Sequence, residues 1–235
     1  YENAEKIILC LSGFISAIGT VMLPKVSRMT RMKQMDAVKR HIRLSMELVM
    51  CMVCAMAFGL AAVAVNFAPL FYGDDFAYSG TLMMPLAFTL LSIGFANVIR
   101  TQWVLPQGRD TIFVHSVLTG AVINLIANFV LIPPFGAMGA AAATVLAEFS
   151  VPAVQFVYLR KELPYAQYLK TTGVYCLFGL VMAGAVALLG HVLPLYGWRK
   201  LAVQVTGGAA VYGVLCLTYW KLAKRSDIFR LMRRK

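Results

Sequence analysis

The stretch Asn124–Glu148, NLIANFVLIPPFGAMGAAAATVLAE, decides how the rest of the chain is read. An apolar run carrying Asn124 and Asn128 meets the paired prolines Pro133 and Pro134, and a second run of Gly and Ala then carries Glu148. Proline removes a backbone donor and restricts the residue before it, which predicts that one helix ends there. A water-facing helix needs more polar surface than either run has. Inside a bilayer the pattern reads as two spans joined by a tight turn, with small residues that let helices approach closely. An ionisable residue within a span is a functional-site expectation by default, so Glu148 heads the candidates.

The composition of the remainder agrees. Of 235 residues, 60% are hydrophobic and 14% charged, too few charges to cover a soluble domain. Apolar runs recur that can each cross a hydrocarbon core of about 30 Å. Their expected positions are about 1–23, 41–67, 81–100, 111–132, 136–158, 171–192 and 201–222. The expected fold class is all-α integral membrane, with about seven transmembrane helices. Pro24 is expected to open a basic loop after the first span, and Pro85 to form a tolerated kink in the third.

The net charge of +12 raises nucleic acid as a partner, but the distribution of charge excludes it. Alternating the spans places 19 of the 22 Lys and Arg on one side, leaving only Lys6, Arg199 and Lys200 elsewhere. By the bias of membrane loops, the segment 24–43 and the C-terminal tail are expected in the cytoplasm, and the chain begins outside. Tyr1 is not a start Met, and no basic n-region or A-x-A site precedes the first span. The chain therefore reads as the continuation of a longer protein whose N-terminal half is absent. All five cysteines lie in apolar runs. Cys51 and Cys54 form a C-x-x-C without a second ligand pair and read as small buried hydrophobes.

Several segments together resemble the C-terminal half of bacterial polysaccharide flippases of the Wzx type, in the multidrug/oligosaccharidyl-lipid/polysaccharide exporter superfamily. The residues that carry the resemblance begin with Tyr1, Ala4, Lys6 and Ile7, followed by Thr20–Pro24 ahead of the basic segment. Leu70–Phe76 reads L-F-Y-G-x-x-F, and Leu105–Arg109 reads L-P-x-G-R. Asn124, Asn128, Ile132–Ala141, Thr144 and Glu148 follow, then Arg160–Pro164. The resemblance implies the C-terminal bundle of a two-bundle, about 14-helix transporter in the bacterial cytoplasmic membrane. It also implies a substrate, undecaprenyl-diphosphate-linked oligosaccharide units destined for capsule, exopolysaccharide or O-antigen. Membrane lipids and a polysaccharide polymerase are the further partners it suggests. A drug or lipid-II exporter of the same superfamily, or a non-transporting fragment of a truncated gene, are the alternatives. A glycosyltransferase or polymerase would need a large acidic extracellular loop, whereas the longest outer loop, around Asp74 and Asp75, is short.

Candidate site residues follow from helical spacing. Thr144 at i−4 and Gln155 at i+7 share the Glu148 face. Glu148 can couple transport to a proton or cation, bind sugar hydroxyls, or hydrogen-bond a neighbouring helix. Lys6 can attract a lipid diphosphate, against an ordinary i,i+4 pair with Glu2. Asn97 and Arg100 form a polar end to the third span, where Arg100 can snorkel to the interface. Asn124 and Asn128 share a face and can bind sugar or glue helices. Glu47 is expected to pair with Arg43, and His115 to sit at the interface, turned away from Asn124. No nucleophile–base pair, Gly-rich phosphate loop or zinc spacing appears, so neither an enzyme nor a metal site is expected. No cofactor is expected beyond a possible coupling ion, H+ or Na+.

Overall fold

The computed structural model describes residues 1–222; the basic tail beyond them lies outside the described residues. The elements are α1 (Glu2–Arg31), α2 (Met35–Tyr72), a 3-10 turn (Asp74–Phe76), α3 (Ala77–Ala87) and α4 (Thr89–Ile99). A π-helical turn (Arg100–Val104) and a 3-10 turn (Leu105–Gln107) lead into α5 (Asp110–Leu159), α6 (Tyr165–Val192) and α7 (Gly197–Leu222). Among the described residues, six helical segments are long and apolar enough to cross a membrane, with Asp74–Gln107 counted as one. Many large apolar side chains, among them Leu9, Phe14, Phe129 and Leu180, face outward. Such a surface suits lipid, in which helices satisfy their own backbone.

α5 is the exceptional element. Fifty residues of straight helix would run about 75 Å, far beyond any bilayer. Instead the chain reverses at Gly136, whose backbone (φ 55°, ψ −131°) is not helical. Its two arms, 110–135 and 137–159, then lie side by side. His115 Nδ1 and Tyr158 OH meet at 3.0 Å although 43 residues separate them. A Cβ on Gly139 would fall 2.0 Å from the Leu131 carbonyl oxygen, so only hydrogen fits there.

Three sequence expectations are corrected in detail. The first arm does not end at Pro133 and Pro134 but continues through them to the reversal at Gly136. Proline locks φ near −65°, so it can stiffen the arm's last turn but cannot make the positive-φ step that glycine makes. The segment after Pro24 is not a loop. α1 runs through Pro24 to Arg31 and α2 starts at Met35, leaving a tight turn with Lys33 at φ 58°. Buried Val26, Val38 and Ile42 seal this part of the molecule, so helix persists while the charges point outward. The third span extends beyond 81–100 in both directions, back to Ala77 and on into the π-helical turn that ends at Val104.

α2 is the hub. It packs against α1, α3, α4, α6 and α7, and its Met46, Met50, Val53, Cys54 and Ala57 are buried at the centre. α4 connects α1 to α5, whereas α6 and α7 pack on each other and on α2. One end of the bundle gathers the basic connections. There the Trp103 indole and Arg109 Nη1 both donate to Glu162 Oε2, at 3.0 and 2.6 Å, and Lys39 lies over the Trp103 ring. Arg109 and Trp103 hold the Glu162 carboxyl below the usual carboxylate range against the opposing effect of burial. At the other end Tyr72 OH donates to the Asn3 carbonyl at 3.0 Å.

Candidate functional site: a polar cavity between α1, α4 and α5

A cavity of about 810 Å³ opens between α1, the α4 end and both arms of α5. Its wall collects Asn97 and Arg100 from the α4 end, Asn124 and Asn128 from the first arm, and Thr144, Glu148 and Gln155 from the second. The fold-back at Gly136 is what brings the two α5 groups together, since they stand on antiparallel arms. α1 contributes Tyr1, Glu5 and Ser16, none of which the sequence reading named as a site candidate. A signal was present: positions 1, 5, 12 and 16 follow the helical i, i+4 and i+11 spacing, with Ser12 completing the stripe.

Several of these groups are committed to one another. Asn97 Nδ2 donates to the Ile15 carbonyl of α1 at 2.9 Å, and Asn97 Oδ1 accepts from Arg100 Nη2 at 2.8 Å. Arg100 also lies over the Phe113 ring, 5.1 Å from its centroid. Asn97 therefore ties α1 to α4 and aims the guanidinium, leaving its amide little to offer a ligand. Asn128 Nδ2 donates to Asn124 Oδ1 at 2.9 Å. Tyr1 OH and Thr144 Oγ1 meet at 2.8 Å, a bridge from α1 to the second arm. Ser92 Oγ donates to the Glu148 carbonyl, fixing the second arm to α4 without touching the carboxylate.

Other groups are left to act. Arg100 Nε, Asn128 Oδ1 and Gln155 Oε1 are buried and find no protein partner among the described residues. Gln155 is only 1% exposed, so an oxygen without a partner there carries a real desolvation cost. The wall thus combines two carboxylates, one guanidinium and several amide and hydroxyl groups. That set suits a ligand with hydroxyls and an anionic group, held inside an apolar bundle.

The remaining candidates fall elsewhere. Lys6 is off the cavity wall, paired with Glu2 at 2.8 Å, with both side chains largely exposed. Glu47 is buried among α2, α6 and α7, where Tyr175 OH donates to Glu47 Oε1 at 3.1 Å and accepts from Trp220 Nε1 at 2.8 Å. His115 faces Tyr158 on the neighbouring arm.

Comparison with known proteins adds a family. Residues 1–206 match the family described as "Lipid II flippase MurJ". A "Probable low-salt glycan biosynthesis flippase Agl15" of Haloferax volcanii is 22% identical over 93% of this chain and 46% of its own length. A "Putative O-antigen transporter" of Shigella dysenteriae is 22% identical over 59% of this chain and 34% of its own length. The solved structure "Lipid II flippase MurJ, inward closed conformation" superposes with a TM-score of 0.77 at 16% identity. That match covers 93% of this chain and 46% of the solved one and shows a shared fold. The chain spans less than half the length of these proteins.

Proposed function

Because this chain belongs to the lipid II flippase MurJ family of membrane transporters, we propose that it forms one bundle of a flippase for lipid-linked oligosaccharides. The substrate class is a polyprenyl-diphosphate carrying a sugar repeat unit, moved by alternating access between two helical bundles. The observation that carries this reading is the cavity itself. It is a polar wall inside an apolar bundle, with Arg100 for a diphosphate and the Asn128 and Gln155 oxygens for sugar hydroxyls. In this reading the chain makes seven crossings of a bacterial cytoplasmic membrane, the folded α5 supplying two, with the basic end in the cytoplasm. The carboxylate of Glu148 serves a coupling H+ or Na+, or the sugar. A polysaccharide polymerase is the partner that would take the delivered unit.

Lipid II itself is the second reading, favoured by the family match. Both readings are tested in a deletion strain of the full-length gene. Loss of surface polysaccharide with lipid-linked units accumulating inside supports the first. Lipid II accumulation and lysis support the second, and unchanged glycans refute both. In the same strain Glu148→Ala should abolish transport at normal protein abundance. Wild-type transport by that variant would remove Glu148 from the site.

A further inference from the structure

Four of the five cysteines stand in two contacting pairs that join three helices. Cys51 Sγ of α2 lies 3.6 Å from Cys216 Sγ of α7, and Cys54 Sγ of α2 lies 3.7 Å from Cys176 Sγ of α6. The C-x-x-C spacing puts Cys51 and Cys54 one helical turn apart, and the α6–α7 pair supplies one thiol to each. Each pair combines a half-buried thiol, Cys51 or Cys176, with a fully buried one, Cys216 or Cys54. Sulfurs this close need only a small side-chain shift to reach disulfide bonding distance. All four lie inside apolar helices, so a reagent that reaches them must dissolve in the hydrocarbon phase.

We propose that Cys51–Cys216 and Cys54–Cys176 are two oxidisable dithiol sites, each closing to an interhelical disulfide when a lipid-soluble quinone accepts its electrons. At each site two S–H bonds break and one S–S bond forms. The two protons and two electrons pass to the quinone oxygens, giving one quinol per disulfide. The chemistry is independent of what the transporter carries. Its structural consequence follows from the packing, because α6 and α7 rest on α2 and each would be stapled to it once. A gap of about 400 Å³ lined by Phe149, Pro152 and Phe156 separates the second arm of α5 from α6 except where Phe156 meets Tyr165. Oxidation therefore fixes the α6–α7 pair to the hub without touching the cavity wall.

The test uses the full chain purified in detergent under reducing conditions and then incubated with decylubiquinone. After denaturation, alkylation should fall from five thiols to one, Cys10, and peptide mapping should recover the Cys51–Cys216 and Cys54–Cys176 links. The midpoint of thermal unfolding should rise by about 5 °C or more and return on adding dithiothreitol, since both bonds close long loops. Cys51→Ser should lose only the first link and Cys54→Ser only the second. Five alkylated thiols, or a Cys51–Cys54 link, would overturn the proposal. Links formed by copper–phenanthroline but not by the quinone would overturn the quinone as oxidant.

Discussion

Replacing Gly139 by alanine tests whether the α5 hairpin is closed by backbone contact. The added Cβ would sit 2.0 Å from the Leu131 carbonyl oxygen and 2.5 Å from its carbon, whereas ordinary contact begins at 3.4 Å. The arms must therefore separate by about 1.4 Å at this level, and no rotamer change can relieve it because the obstructing atoms are backbone. Overpacking of this kind costs about 1–3 kcal/mol. Better helix propensity offsets at most about 1 kcal/mol of that. Gly184, on α6, is the internal control, since a Cβ there meets nothing within 4 Å. Thermal unfolding in detergent should show Gly139→Ala lowered by roughly 2–10 °C, with Gly184→Ala unchanged or slightly raised. Thr144 is five residues from Gly139, so a wider hairpin should also weaken the Tyr1–Thr144 bridge and reduce transport. Equal stability of the two variants would refute the close-packed hairpin.

The other predictions concern polar contacts. Tyr175→Phe withdraws the hydroxyl that joins Glu47 to Trp220 and should destabilise by about 1–3 kcal/mol, read as a lowered unfolding midpoint; an unchanged midpoint would mean the bonds are dispensable. Glu162 has a depressed folded-state pKa, so its contribution is present above the unfolded value of about 4.3 and is lost as the pH falls through the lower folded value. Glu162→Gln should remove that part of the acid sensitivity while costing less than about 1 kcal/mol near neutral pH, because 35% of each partner's side chain is exposed; an identical acid profile would contradict the assignment. Lys6→Ala and Lys6→Arg should transport alike, as Lys6 pairs with Glu2 and is not among the residues lining the cavity; a selective loss in the alanine variant would place Lys6 in the substrate path.

The membrane class was legible because composition acts globally and no local detail can reverse it. The stripe Thr144, Glu148 and Gln155 was legible because helical periodicity alone puts those residues on one face. The pairing of that stripe with Asn124 and Asn128 depended on the position of the turn. The prolines marked its neighbourhood, but the reversal belongs to the residue that tolerates positive φ. Local sequence says nothing of Asn97 bonding the Ile15 carbonyl 82 residues away, which makes a candidate ligand also a tie between α1 and α4. The same holds for the thiol pairs, separated by 165 and 122 residues. Lys6 was ambiguous for a physical reason: Glu2 at i−4 and a cavity ligand both explain an early cation in a span, and only the helix's rotation decides.

The position of α2 as hub has an energetic consequence. α6 and α7 meet the rest of the described bundle mainly through α2, with Tyr165 of α6 also against Phe95 of α4 and Phe156 of α5, while the cavity is walled by α1, the α4 end and α5. Substitutions at Tyr175 and at Glu148 share no direct partner, so their free-energy effects should add, to within about 0.5 kcal/mol. Thermodynamic coupling between them passes through α2 packing, around Met50 and Val53, or through the ring contacts of Tyr165 with Phe95 and Phe156. A double-mutant cycle between Tyr175 and Glu148 would then close near zero, and the α6–α7 pair would behave as a separately tunable ballast for a cavity it does not touch.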